Sequence, residues 1–231
     1  MQNRSLSELQ DKIKYHFHNE KLLRQAVTHS SFANEQRIRK QPNYERVEFL
    51  GDAVLELVSS EFFYHNYPDL PEGKLTKMRA SAVCEQALAI TARQLELGSF
   101  LYLGKGEEGM GGRDRDSIIA DVVEAVIGAI YLDSGFEDAK GFILEFVLND
   151  LEHKKLFYDA KSVLQEEVQN HKLGILTYEL LKEEGPEHDK SFFVAALLDG
   201  KKIGEGEGHN KKAAEQKAAY EAILAMRENR E

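Results

Sequence analysis

Between Ser117 and Leu132 the chain is apolar on every side of a helical wheel, and its only charges are Asp121 and Glu124. A helix without a polar face belongs in the middle of a helical domain, wrapped by other helices. The two acids stand at i and i+3, so they leave the helix on the same side. Two ionised carboxylates in an apolar setting are costly unless a cation neutralises them. Either an Arg or Lys from another helix pairs with them, or a metal ion does, and the segment alone leaves both open.

A second acidic segment narrows the choice. In Glu45-Arg46-Val47-Glu48-Phe49-Leu50-Gly51-Asp52-Ala53-Val54-Leu55-Glu56 the residues Glu45, Glu48 and Asp52 fall within about 60° of one another at roughly 100° of rotation per residue. Val47, Leu50, Val54, Leu57 and Val58 gather on the opposite side as the expected core face. Like charges at this spacing repel by a few tenths of a kcal/mol per pair. A solvated helix face is one explanation of the stripe. If the two helices pack with their acids together, the result is an all-oxygen site of Glu48, Asp52, Asp121 and Glu124, suited to Mg²⁺ or Mn²⁺ and poor for Zn²⁺. Such a site points to metal-dependent phosphodiester hydrolysis.

The rest of the chain organises around these helices. Segments near 5–16, 20–28, 43–65, 72–83, 84–96, 116–133 and 136–152 carry apolar residues at three- and four-residue spacing, which predicts an all-α domain over residues 1–153. The glycine-rich stretch Gly104–Gly112 lacks the Gly-Lys-Ser/Thr of a phosphate loop and reads as a flexible connection. His16, His18 and His29 form no metal-ligand spacing, and His29 reads as a packing or hydrogen-bonding residue.

Residues 154–160 read as a linker, and the texture then changes. A helix over 162–171, strands over 176–181, 192–198 and 201–207, and an alanine-rich helix over 211–226 give an α-β-β-β-α order, a small α+β domain over 161–231. Asp199-Gly200 is a strong hairpin signal between the second and third strands.

Net charge alone argues against a nucleic-acid partner, because 30 Lys+Arg against 40 Asp+Glu leave the chain at −10. Residues 160–231 hold eleven Lys+Arg and fourteen Asp+Glu, so the small domain is acidic as well. Cys84 is the single cysteine, which excludes an intrachain disulfide. No apolar run is long enough to span a bilayer and the N-terminal residues do not read as a signal peptide, so the expectation is a cytoplasmic protein without membrane contact.

Taken together, the motifs resemble the ribonuclease III family. Glu45–Val54 looks like its signature, and Asp121-Val-Val-Glu124-Ala-Val-Ile-Gly-Ala resembles its second acidic motif; Thr28-His29-Ser30-Ser31 and Glu72-Gly73-Lys74-Leu75-Thr76-Lys77-Met78-Arg79 agree in the same order. One departure is Tyr44, which separates Asn43 from Glu45 where many members have Asn directly before Glu. The resemblance implies metal ligands and catalytic residues at Glu48, Asp52, Asp121 and Glu124, with Mg²⁺ as cofactor and Mn²⁺ as a substitute. It implies that Glu45 and Glu72 handle RNA near the scissile strand. Phe49 lies off the main apolar face, and the resemblance implies that it plugs a socket on a second subunit of a homodimer.

The small domain resembles a double-stranded RNA-binding domain. That resemblance assigns RNA contacts to Ser162, Gln165, Glu166 and Gln169 on the first helix, to His188 in the following loop, and to Asn210, Lys211, Lys212 and Lys217 at the start of the last helix. A helix N-terminus and clustered lysines suit phosphates. Polar neutral groups suit the shallow minor groove of A-form RNA, over about 16 base pairs and largely without sequence preference. The expected activity is Mg²⁺-dependent cleavage of double-stranded RNA to 5′-phosphate and 3′-hydroxyl ends with short 3′ overhangs, in the processing of ribosomal, messenger and transfer RNA precursors. Two rivals belong to other classes: a non-catalytic double-stranded RNA-binding regulator, and a phosphohydrolase of small nucleotides.

Overall fold

The structure is a computed structural model, and it describes residues 4–35, 42–151, 156, 159–185 and 190–228. The chain divides into two compact units, Met1–Leu151 and Glu152–Glu231.

The first unit is helical throughout. Its elements are α1 (Leu6–Lys12), α2 (Glu20–Ala26), α3 (Ser30–Glu35), α4 (Glu45–Asn66), α5 (Glu72–Ala82), α6 (Glu85–Gln94), α7 (Lys105–Gly109), α8 (Asp116–Ser134) and α9 (Phe136–Phe142), with a π turn at Ile143–Val147. As the apolar run predicts, α8 is the central element, with eleven of its residues buried. It packs most extensively against α4 and also against α2, α6 and α9. Asp133 fastens its C-terminal end: the carboxylate accepts from the Tyr15 hydroxyl at 2.8 Å and from the backbone N–H groups of His18 and Asn19 at 2.8 and 2.9 Å.

Two expectations need correction here. Gly104–Gly112 is structured, not a flexible connection: α7 occupies its first half, and two arginines pin it. The Arg113 guanidinium donates to the carbonyl oxygens of Gly98 and Leu101 at 2.9 and 2.8 Å and pairs with Glu108 at 2.6 Å, while Arg115 pairs with Glu107 at 2.6 Å. Leu57, placed on the core face by its angle, is 58% exposed, whereas Val47, Val54 and Val58 are buried as expected.

The second unit comprises α10 (Ala160–Asn170), β1 (Leu176–Glu184), β2 (Ser191–Leu198), β3 (Lys201–Gly208) and α11 (Lys211–Glu228). The strands form an antiparallel sheet in the order β1-β2-β3. Asp199 and Gly200 have φ of 48° and 78°, the pair of left-handed residues that matches hairpin twist. A core of Leu164 and Val168 from α10, Val194 and Ala196 from β2, and Ala214, Ala218 and Ile223 from α11 joins helices to sheet, and Leu156 packs into it. The Gly-Glu-Gly-Glu-Gly run of β3 lets α11 lie close: a Cβ on Gly206 would fall 2.3 Å from the Ala218 backbone nitrogen.

Candidate active site

Backbone contact between α4 and α8 builds the acidic site. A Cβ on Gly51 would fall 1.8 Å from the Glu124 carbonyl oxygen, and one on Gly128 would fall 2.1 Å from that of Val47. The helices therefore cross with no side chain between them at Gly51 and Gly128. Glycine inside a helix costs about 1 kcal/mol relative to alanine, and here the close crossing offsets that cost. Glu48 and Asp52 flank Gly51 on α4, while Asp121 and Glu124 lie two turns and one turn before Gly128 on α8. The crossing thus puts both acid pairs at one place in the fold.

The carboxylates act on one another. Burial raises the Glu124 carboxyl to about 8, and the charges of Asp52, Glu48, Asp121 and Glu56 add to the effect. Burial likewise raises Glu48 to about 7, with Asp121, Glu45 and Asp52 contributing. Asp121 is raised by burial and by Glu85, and is partly relieved by a hydrogen bond from Tyr44 and by His29. Among the described residues, no Lys or Arg forms an ion pair with Glu48, Asp52, Asp121 or Glu124. Among the described residues, therefore, pairing with a Lys or Arg, the alternative open at the sequence level, is not what balances these acids.

The side chains are near one another without being closed into a cage. Among the described residues, no group of three or more His, Cys, Asp or Glu side chains is gathered closely enough to hold a metal ion. Repulsion among carboxylates without a counter-ion favours such an open arrangement. By donor chemistry the set fits a hard cation, with four carboxylates and no sulfur or imidazole among them.

The other predicted residues take separate positions. Glu45 opens α4 and is exposed, close enough to raise Glu48. Glu72 opens α5, is exposed, and accepts from the Thr76 hydroxyl at 2.8 Å. It also lines a cavity of about 360 Å³ with Leu57, Phe63, Tyr64, Leu75 and Arg79. Arg79 ties the cavity wall to α4, pairing with Glu56 at 2.8 Å and donating to the Ser60 hydroxyl at 2.7 Å. Phe49 is 79% exposed and plays no part in the core of its own chain.

In the second unit, Ser162, Gln165, Glu166 and Gln169 are all exposed on the side of α10 away from Leu164 and Val168. Asn210 caps α11, its side-chain oxygen accepting from the Ala213 N–H at 2.9 Å. Lys211, Lys212 and Lys217 are exposed, but two of them have acidic neighbours: Glu183 lies 3.5 Å from Lys211, and Glu221 lies 2.8 Å from Lys217. His188 lies outside the described residues. Sequence reasoning missed Gly51, Gly128 and the Tyr44 contact; the signal for the first two was a glycine at mid-helix in each acidic segment.

A family model described as Ribonuclease-III-like matches residues 19–151, and one described as Double-stranded RNA binding motif matches residues 160–226. The ribonuclease 3 of Pelotomaculum thermopropionicum is 48% identical over 222 residues, which is 95% of this chain and 92% of that protein. The chain belongs to the ribonuclease III family. It is an endoribonuclease for double-stranded RNA, with a helical nuclease domain followed by an α+β RNA-binding domain. The ribonuclease 3 of Bacillus velezensis is also 48% identical, over 96% of this chain and 90% of that protein. Among solved structures, the nuclease domain of the Campylobacter jejuni ribonuclease III matches 62% of this chain and 96% of its own length, with a TM-score of 0.58 and 42% identity. No helix among the described residues is long and apolar enough to cross a membrane.

Proposed function

We propose that Glu48, Asp52, Asp121 and Glu124 hold a divalent cation, Mg²⁺ with Mn²⁺ as a substitute, and that this centre cuts double-stranded RNA to 5′-phosphate and 3′-hydroxyl ends. The observation that carries the reading is the set of four mutually repelling carboxylates, two of them raised to about 7 and about 8, with no Lys or Arg partner among the described residues. A bound cation of this class neutralises charge on a phosphate oxygen and polarises a water. The chain's own contribution is placement. Gly51 and Gly128 fix the two backbones, Glu45 lies close to Glu48, and Glu45 and Glu72 would handle the RNA strand.

The active form in this reading is a homodimer. Phe49, Leu57 and Tyr64 are 79%, 58% and 68% exposed and recur along one stripe of α4, which leaves a large apolar face for a second copy. Two sites acting on opposite strands would leave the short 3′ overhang. In this reading the nuclease domain spans 1–153 and the RNA-binding domain 161–231, with 154–160 joining them, although Leu156 and Ala160 of that stretch pack into the second core. In that second domain the exposed face of α10, His188 and the start of α11 touch the duplex. The substrates are precursors of ribosomal, messenger and transfer RNA in the cytoplasm.

A duplex-cleavage assay tests the metal and the ligands together. Wild-type protein should cut with Mg²⁺ and stop with EDTA, and Glu124→Gln should bind duplex but not cut it. Cutting in EDTA, or cutting by Glu124→Gln at the wild-type rate, would refute the metal-site reading. Duplex binding by wild-type protein without Mg²⁺-dependent cutting would favour the regulator. For the dimer, Phe49→Ala should raise the dissociation constant in sedimentation equilibrium at least tenfold, and an unchanged constant would remove Phe49 from the interface.

A further inference from the structure

We propose that Tyr44 is a positioning residue of the active site, its buried hydroxyl donating to the Asp121 carboxylate and holding that group in place before a cation arrives. The proposal rests on the metal-site reading above and deepens it.

Tyr44 is only 4% exposed and is clamped on both sides. Its backbone N–H donates to the Thr28 carbonyl at 2.9 Å, and its own carbonyl accepts from the N–H groups of Val47 and Glu48, both at 2.8 Å. The residue therefore joins the Thr28–His29 segment to the first turn of α4. Its ring packs against His29, with centroids 5.6 Å apart and the planes tilted by 58°. His29 is fixed in turn, since the Ser31 N–H donates to its Nδ1 at 3.1 Å and the Ser31 hydroxyl lies 2.7 Å from the same nitrogen. From this support the Tyr44 hydroxyl reaches Asp121 Oδ2 on α8 at 3.3 Å, a long contact for a hydroxyl on a carboxylate.

Two features make the contact useful to the site. An ordinary phenol is protonated near neutral pH, so the hydroxyl acts as a donor. A donor on one carboxylate oxygen leaves the other available to a cation, and it restrains a side chain that repulsion from neighbouring acids would turn away. Partners of this kind are worth about 10- to 100-fold in metal affinity.

The test measures Mn²⁺ binding to the full chain without RNA, by electron paramagnetic resonance of the free ion. The proteins compared are wild type, Tyr44→Phe, Asp121→Asn and the double variant. Tyr44→Phe keeps the ring and its packing, so its melting temperature in EDTA should stay within a few degrees of wild type. Its Mn²⁺ affinity should fall about tenfold. In the Asp121→Asn background the same change should weaken Mn²⁺ binding no further, because the two residues act as one unit. Equal Mn²⁺ affinity for wild type and Tyr44→Phe would overturn the proposal while leaving the metal site intact. An equal loss in the Asp121→Asn background would also overturn it, since the hydroxyl would then act by some other route. A wild-type protein that binds no Mn²⁺ would overturn the metal-site reading and the role of Tyr44 with it.

Discussion

Replacing Glu124 by Gln should make the metal-free protein more stable while abolishing its activity. The carboxyl is raised from 4.5 to about 8, first by burial and then by Asp52, Glu48 and Asp121, so above about pH 8 the fold holds a charge it disfavours. At about 1.4 kcal/mol per pH unit, the displacement sets an upper limit of roughly 5 kcal/mol. The carboxyl still reaches solvent, so a discounted value of about 1–2 kcal/mol is appropriate. For a protein of this size that is a rise in melting temperature of roughly 2–8 °C. The sign with pH follows from linkage. A folded-state value above the unfolded one means the group's stabilising contribution is complete below about 4.5 and is lost as pH rises through about 8. The advantage of Gln should therefore be largest at pH 8.5 and vanish near pH 4.5. Differential scanning calorimetry of both proteins in EDTA at pH 8.5, 6.5 and 4.5 measures it. With excess Mg²⁺ at pH 8.5 the order should reverse, because only the wild type gains the free energy of binding the ion. A Gln variant that melts lower than wild type in EDTA, or a difference that does not change with pH, would refute the electrostatic reasoning.

Two further substitutions test placement and RNA contact. Gly51→Ala should improve helix propensity by about 1 kcal/mol, yet its Cβ would meet the Glu124 carbonyl at 1.8 Å, so chemical denaturation should show a net loss of about 2 kcal/mol or more with cleavage reduced; a stabilised variant would mean that the helices separate freely. Replacing Lys211, Lys212 and Lys217 together by Ala should weaken duplex binding by similar factors across sequences and reduce the steepness of its dependence on salt, and an unchanged salt slope would remove them from the interface.

Legibility in the sequence varied with the kind of interaction. Helices such as α4 and α8 are visible because burial imprints a period on consecutive residues, and the β2–β3 hairpin because Asp199-Gly200 supplies two positive φ angles. The acidic site was readable as a pattern on each helix separately, but what joins the two was not. Gly51 and Gly128 acquire their meaning only from each other, across a helix crossing that no local window contains. The same holds for Arg113 and Arg115, whose partners turn a glycine-rich stretch into an ordered element. Leu57 failed for another reason. A wheel gives the angle of a residue but not the number of surfaces the helix presents, and α4 has a core face and an exposed apolar face side by side.

The acidic balance of −10 takes on a different meaning once charge is located instead of summed. At the proposed metal site, repulsion that destabilises the metal-free fold is the same term a bound divalent cation would relieve, so the excess of acid would strengthen binding of the ion. At α11, the proposed RNA-contacting helix, the logic is one of exchange. Lys211 and Lys217 lie beside Glu183 and Glu221 in exposed pairs, and such pairs are worth about 0–1 kcal/mol. A phosphate backbone would displace them at little cost and gain the release of condensed counterions. Free polyanion presents that charge without the groove geometry that Ser162, Gln165 and Gln169 would meet on α10. The displaced carboxylates would then remain as nearby repulsive charges with no groove contacts to offset them. On the proposed contacts, discrimination for duplex RNA would follow from that difference, with acidic residues penalising loosely fitting polyanions and leaving the shaped ligand ahead.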